Sequence, residues 1–259
     1  MRVCRISLFL YSLIFDYLCN MSNEYFQFKR FLVKQSSSGM KVGTDSCLLG
    51  SWVDVKNCRR VLDIGTGTGI LALMCAQRLE SMTLDFEIDA VDIEPSAVLQ
   101  ARENVLSSPW AEHIHVICMD ILNYQSLDKY DLIVCNPPYF EDSLKSVGEQ
   151  RTLARHNISL NFSDLINKVS NLISHEGNFC VVLPILGAAH FIQLAVEQGF
   201  YLNSRTDVQT VERKSPKRVL LSFSKKENPN PKFDKLVIQR EGQYTQDFQD
   251  LTRDFYLNF

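Results

Sequence analysis

Three alternating glycines at the junction between a strand-like run and a helix-like one restrict the fold of this chain more than any other feature. Residues 59–65 (RRVLDIG) are apolar and β-branched and open into Asp63-Ile64-Gly65-Thr66-Gly67-Thr68-Gly69, after which residues 71–79 carry a helical pattern. Glycines at a strand-to-helix turn let a ligand approach the backbone closely, and the following helix N-terminus offers N–H groups. The spacing is GxGxG. A dinucleotide fingerprint GxGxxG would need glycine at position 70, where Ile70 stands. Asp63, two residues before the first glycine, suits an ammonium group better than a pyrophosphate. These features favour S-adenosylmethionine, a cationic amino-acid nucleoside, over a nicotinamide dinucleotide, with a ligand-free tight turn as the alternative.

The rest of the chain repeats the alternation. Residues 86–92 read as the next strand and 95–106 as a helix with Pro95 in its first turn. Further apolar, β-branched runs occupy 114–119, 130–135 and 177–183, with helices expected at 162–173 and 188–198. Strand and helix in turn predict a parallel sheet covered on both faces. Residues 201–211 and 218–224 follow with no long helix between them, which predicts an antiparallel hairpin at the end of the sheet. The expectation is therefore an α/β, Rossmann-like fold: a mostly parallel, seven-stranded sheet with helices on both faces and an antiparallel C-terminal hairpin strand.

The 259 residues suit one large domain, expected over 21–259 with an N-terminal segment 21–58 and a C-terminal tail 226–259. Residues 1–20 stand apart. Arg2 and Arg5 precede the apolar run 6–15 (ISLFLYSLIF), which looks like part of a signal peptide. That run is shorter than the roughly 20 residues that span a bilayer; Asp16 ends it, and no A-x-A site follows. It reads as an extension outside the working fold, with Met21 as the natural start, against the alternative of a targeting or anchoring segment.

Three more signals follow the glycine turn, each at the end of a predicted strand. Asp92, in Ala90-Val91-Asp92-Ile93-Glu94-Pro95, is placed to accept ribose hydroxyls, the role an acid plays there in nucleotide-binding α/β folds, with Ile93 packed on the adenine ring. Asp120, followed by Ile121, is a candidate acceptor for the cofactor's adenine amino group or else an ordinary loop acid. The strand 132–135 then leads into Asn136-Pro137-Pro138-Tyr139. Two prolines remove backbone donors and stiffen the turn, so the Asn136 side-chain oxygen and the Pro137 carbonyl can converge as acceptors. A ring-conjugated amine is a poor nucleophile; two acceptors on its N–H groups draw its lone pair out of conjugation, and Tyr139 can stack on the ring. Positioning and electrostatics then supply the catalysis, without a strong base.

At this motif the chain resembles the class I methyltransferases that modify planar amino groups, which include enzymes acting on ribosomal-RNA bases, DNA adenine and a protein glutamine. Further segments narrow the resemblance: Tyr25-Phe26-Gln27-Phe28-Lys29-Arg30-Phe31, residues 40–52 (MKVGTDSCLLGSW), Ala101-Arg102-Glu103-Asn104-Val105 with Ser108-Pro109-Trp110, and the tail 251–257. Together they are similar to the bacterial tRNA1(Val) adenine N6-methyltransferases from Tyr25 onward. The resemblance implies methylation of the adenine 3′ of the anticodon, adenine 37. It also implies that Thr44 and Asp45 lie near the methionine end of the cofactor. A ribosomal-RNA or glutamine substrate, or an RNA-binding module that has lost catalysis, stays open as an alternative.

Net charge is −3, which excludes a uniformly basic coat, but the charge is unevenly spread. Residues 201–232 hold eight basic and three acidic side chains and residues 21–60 seven and three, whereas residues 84–131 hold ten acidic and two basic. A basic rim beside an acidic cofactor half is what a phosphate-bearing substrate needs. Candidate RNA contacts are Arg213, Lys214, Lys217 and Arg218; Arg151 and Arg155 after the proline turn; and Lys29, Arg30 and Lys34. The last three interleave with Phe26, Phe28 and Phe31, which are positioned either to stack on splayed bases or to pack in the core. Eight cysteines include no CxxC pair, which argues against zinc and suits a reducing cytoplasm. The folded domain is expected to work as a monomer, without metal or membrane.

Overall fold

The computed structural model describes residues 24–36, 42–82, 85–137 and 161–258. Strands β1 (Tyr25–Gln27) and β2 (Leu32–Lys34) form an antiparallel ribbon ahead of helix α1 (Thr44–Trp52). The chain then alternates through β3 (Arg60–Ile64), α2 (Ile70–Glu80), β4 (Glu87–Asp92), α3 (Pro95–Leu106), β5 (Ile114–Cys118) and β6 (Tyr130–Cys135). Beyond residue 160 come α4 (Phe162–Leu172), β7 (Ile173–Pro184), α5 (Ile185–Glu197), β8 (Tyr201–Val211), β9 (Arg218–Ser224), β10 (Lys232–Arg240), β11 (Gln243–Tyr244) and α6 (Gln246–Thr252).

Across the main sheet the order is β11-β10-β8-β9-β7-β6-β3-β4-β5. Pairings from β5 to β7 are all parallel, and β9 runs antiparallel between β7 and β8. The Rossmann-like sheet with its antiparallel hairpin is thus as expected, and two strands from the tail extend it. β10 pairs parallel with β8, and β11 folds back on β10. The first half of β10 is exposed and charged, so it lacks the apolar run that marks a strand buried on both faces.

Burial alternates along the central strands because side chains project to opposite faces. Val61, Leu132, Val134, Cys180 and Val182 belong to one cluster, packed with Phe28, Leu48, Leu73, Phe248 and Phe255 from the ribbon, α1, α2 and the tail. Leu62, Ile64, Ile133, Phe179 and Val181 belong to the other, under α4 and α5. Helix α4 buries Leu165, Ile166, Val169 and Leu172 on one stripe, and Asn161 caps it by accepting from Asp164 N at 2.8 Å. Asp89 breaks the apolar run of β4 without an energetic fault: its Oδ2 accepts from Tyr130 Oη at 2.5 Å, Tyr124 Oη at 3.2 Å and Arg60 Nη2 at 3.3 Å.

The ribbon settles the role of its aromatic residues. Phe28 and Phe31 are buried and stack on each other at 4.6 Å between centroids, with Phe255 and Trp110 edge-on beside them. Rings enclosed in this way have no face for a nucleobase; they attach the N-terminal ribbon to the C-terminal tail.

Candidate active site

The order in which successive strands are added to the sheet reverses at β3, which pairs parallel with β4 on one side and β6 on the other. In an open α/β sheet the crevice outside the carboxyl ends of the strands at such a point is where ligands bind. Four predicted segments meet the strand ends there: the glycine turn after β3, Asp92 closing β4, Asp120-Ile121 after β5, and Asn136-Pro137 after β6.

The turn requires its glycines for backbone reasons. Gly65, Gly67 and Gly69 have φ of +69°, +57° and +83°, the left-handed region that a Cβ disfavours. A methyl added at Gly65 or Gly67 would meet nothing within 4 Å, so the turn faces open space. The N–H groups expected to greet a ligand are largely engaged within the protein. Gly65 N and Thr66 N donate to Val91 O, Gly69 N to Thr66 O, and Gly67 N to Asp92 Oδ2 at 2.8 Å. A turn whose donors are taken up in this way is poorly built to cradle a pyrophosphate, which agrees with the reading taken from the glycine spacing.

Asp63 lies beneath the turn, fully buried. Its Oδ2 accepts from the Thr66 hydroxyl at 2.5 Å and from Ala72 N at 3.2 Å. The second bond matters because Gly69, the N-cap residue just before α2, has no side chain to cap the helix; Asp63 supplies the missing acceptor from the preceding strand. Oδ1 has no hydrogen-bond partner. Burial pushes the carboxyl up from 3.8 to about 7, against the opposing pull of the Thr66 and Ala72 bonds. Direct contact with a ligand ammonium, expected from the sequence, does not suit a side chain with no exposed surface; Asp63 acts on the site by shaping the turn.

Asp92 is half-buried and spans the crevice wall, with Oδ2 on Gly67 N and Oδ1 on Glu94 N at 2.9 Å. Ile93 beside it is 44% exposed. Asp120 Oδ1 accepts from Leu122 N at 2.9 Å, the local bond of an ordinary loop acid, while Ile121 is buried against Tyr124. Asn104, not singled out for a role by its sequence, ties the site together. Its Oδ1 accepts from Lys34 N, and its Nδ2 donates to Lys34 O and to Thr68 O in the turn.

Asn136 directly follows β6, half-buried, and its Nδ2 donates to Ser46 Oγ at 2.8 Å. Ser46 sits in the first turn of α1 next to Thr44 and Asp45, so the 40–52 segment reaches the proline turn across ninety residues of sequence. Arg78 of α2 anchors that helix by donating to the carbonyls of Gly50, Ser51 and Val53 at its C-terminal end. Gly50 lets the two helices approach, because a Cβ there would stand 2.7 Å from Met74 Sδ. Thr44 is exposed at the helix start. Asp45 forms an ion pair with Arg218 Nε at 2.8 Å, which joins a residue predicted for the cofactor to one predicted for RNA.

The remaining candidates are scattered. Lys29 Nζ donates to Arg253 O at 2.6 Å; Arg30 pairs with Glu80 at 2.7 Å and lies over Trp110; Lys34 pairs with Glu103 at 2.5 Å. Arg213, Lys214 and Lys217 are exposed in the β8–β9 turn. Pro138, Tyr139, Arg151 and Arg155 lie outside the described residues. Burial holds Cys135, next to Asn136, well above the ordinary thiol range and pushes Cys47 up to about 11, so these thiols are packing groups. Among the described residues no cluster of three or more His, Cys, Asp or Glu side chains is arranged to hold a metal ion.

Residues 36–183 match the methyltransferase small domain family. The tRNA1(Val) (adenine(37)-N6)-methyltransferase of Bacteroides thetaiotaomicron is 43% identical over 238 residues, covering 92% of this chain and 99% of that protein. Its counterpart in Enterobacter sp. is 45% identical over 240 residues, covering 92% and 96%. Among solved structures, a predicted O-methyltransferase from Agrobacterium tumefaciens aligns with a TM-score of 0.60 at 19% identity, over 82% of this chain and 96% of that one. The ribosomal protein L11 methylase of Lactobacillus delbrueckii subsp. bulgaricus aligns at 0.51 and 20% identity, over 75% and 84%. These two share the fold.

Proposed function

The chain belongs to the tRNA1(Val) (adenine(37)-N6)-methyltransferase family, and from that premise we propose that it methylates N6 of adenine 37, the base 3′ of the anticodon, in tRNA1(Val) with S-adenosylmethionine as donor. The observation that carries the reading is the seat of Asn136: at the end of β6, beside the glycine turn, with its amide held by Ser46. Fixing Nδ2 on Ser46 fixes the rotation of the amide, so Oδ1 stands opposite as an acceptor.

S-adenosylmethionine supplies an electrophilic methyl group on a sulfonium. Asp92 would hold the ribose hydroxyls and Ile93 would cover the adenine of the cofactor, with Asp120 and Ile121 beside it, and Thr44 and Asp45 at the start of α1 are the residues that the resemblance assigns to its methionine end. Oδ1 of Asn136 and the carbonyl of Pro137 accept from the two N–H bonds of the target amine and turn its lone pair out of the ring. The stacking role expected of Tyr139 falls outside the described residues. Base extrusion costs less from an anticodon loop than from a duplex. The proposal sets the enzyme in the cytoplasm as a monomer; no helix among the described residues is long and apolar enough to cross a membrane.

Asn136→Ala tests the role. Removing one preorganised group of this kind costs about 10²- to 10³-fold in kcat, while the dissociation constant for S-adenosylmethionine by calorimetry stays within about twofold, since Asn136 touches the target and not the cofactor. Turnover near that of the wild type overturns the assignment.

A further inference from the structure

On the far side of the first turn of α1 from Asn136 lies a cleft of about 330 Å³, within the range of pockets that bury small ligands. Thr44 and Asp45 line it, and the next residue, Ser46, holds Asn136. One helical turn therefore separates the cleft from the target amine. Tyr244 of β11 presents a ring 45% exposed and backed by Phe248, stacked at 5.1 Å between centroids, so the ring is held at a fixed angle. Thr210 and Gln239 on neighbouring strands offer a hydroxyl and an amide, and Lys217 stands at the rim where the basic β8–β9 turn carries Arg213 and Lys214. The Asp45–Arg218 ion pair forms one wall of the cleft.

An aromatic face, an amide beside it and an ammonium at the mouth are the set that a nucleotide engages: base on ring, base edge on amide, phosphate on cation. We infer that this cleft is a second base pocket, which receives the nucleotide next to the methylated adenine in the same RNA loop. The inference rests on the methylation reading above. It gives the exposed cations of the β8–β9 turn a purpose, since they would follow the backbone between two bases splayed to either side of α1. It also gives β10 and β11, which extend the sheet beyond the seven expected strands, the task of carrying the pocket.

The test is steady-state methylation of an anticodon stem-loop RNA, intact or made abasic at each position flanking the target adenine. Base–aromatic stacking accounts for about five- to a hundredfold in affinity. Wild type should therefore show KM for the RNA raised about tenfold when one of the two flanking bases is removed, with kcat and the cofactor KM little changed. Tyr244→Ala should raise KM equally on intact RNA and add nothing on the abasic RNA, and Tyr244→Phe should restore the low KM. Tyr244 is 45% exposed and stacks on Phe248, so an unchanged urea midpoint for Tyr244→Ala is the control that separates lost contact from lost folding. Indifference of wild type to both abasic sites overturns the pocket, as do two losses that multiply. Absence of methylation on every RNA by wild type that binds cofactor overturns the methylation reading instead, and the pocket with it.

Discussion

Replacing Asp63 with asparagine should alter how stability depends on pH more than it alters stability itself. The carboxyl is fully buried and titrates near 7 in the folded protein, against 3.8 for an aspartate in water. Between those values the folded chain holds a proton that the unfolded chain has released, so stability falls as pH rises through the window and levels off above about 7. The shift amounts to about 2 kcal/mol at pH 5 and about 4 kcal/mol at pH 7.5, a loss of about 2 kcal/mol across the interval from this one group. Asparagine keeps an acceptor for Thr66 and Ala72 and does not titrate. Glu103 and Glu176, whose carboxyls are held below the usual range chiefly by hydrogen bonds from Lys34 and Lys226, tilt both proteins the other way and cancel in the comparison. Urea unfolding followed by tryptophan fluorescence at pH 5, 6, 7 and 7.5 gives the two profiles. The asparagine variant should gain about 2 kcal/mol on wild type from the acidic end to the basic end. Parallel profiles would refute the account of a buried, desolvated acid under the turn.

Other perturbations separate binding from architecture. Asp92→Ala removes a charged acceptor and should weaken S-adenosylmethionine about 10- to 100-fold by calorimetry; unchanged affinity contradicts the ribose role. Asn104→Ala leaves Lys34 N, Lys34 O and Thr68 O without their partner and should cost about 2–4 kcal/mol in urea unfolding, whereas a loss under 1 kcal/mol would mean that water replaces it. Gly67→Ala faces open space, so its cost should be the backbone term alone, about 1–2 kcal/mol; a larger loss would point to a contact that the geometry does not contain. Ser46→Ala should lower kcat about 3- to 10-fold with little change in either KM, by releasing the Asn136 amide, and Ser46→Thr should recover part of it.

The central sheet was legible because strands buried on both faces must be apolar and β-branched, and helix α3 could be bounded from Pro95 to Leu106 because proline marks its first turn. The order in which glycine turn, acid, acid and asparagine follow their strands carried the site, since parallel strands bring their carboxyl ends to one edge. Helix α1 was harder to read. Six of its nine residues are buried, with small side chains on every side, so no stripe distinguishes it, and only the resemblance marked its first turn. Ser46 and Asn104 escaped for a related reason: their roles are hydrogen bonds to residues 90, 70 and 36 positions away, which no local pattern encodes. The basic residues illustrate the limit of charge counting. Arg218 and Lys34 are engaged by Asp45 and Glu103, while Lys217, adjacent to Arg218 in sequence, stands exposed at the cleft.

The most direct test of the account is mass spectrometry of nucleosides from total tRNA and from ribosomal RNA, each incubated with the purified protein and S-adenosylmethionine labelled in its methyl group. The account predicts labelled N6-methyladenosine from the tRNA pool alone, mapping to the base 3′ of the anticodon. Label in ribosomal RNA, or no label in either pool from protein that binds the cofactor, would contradict it.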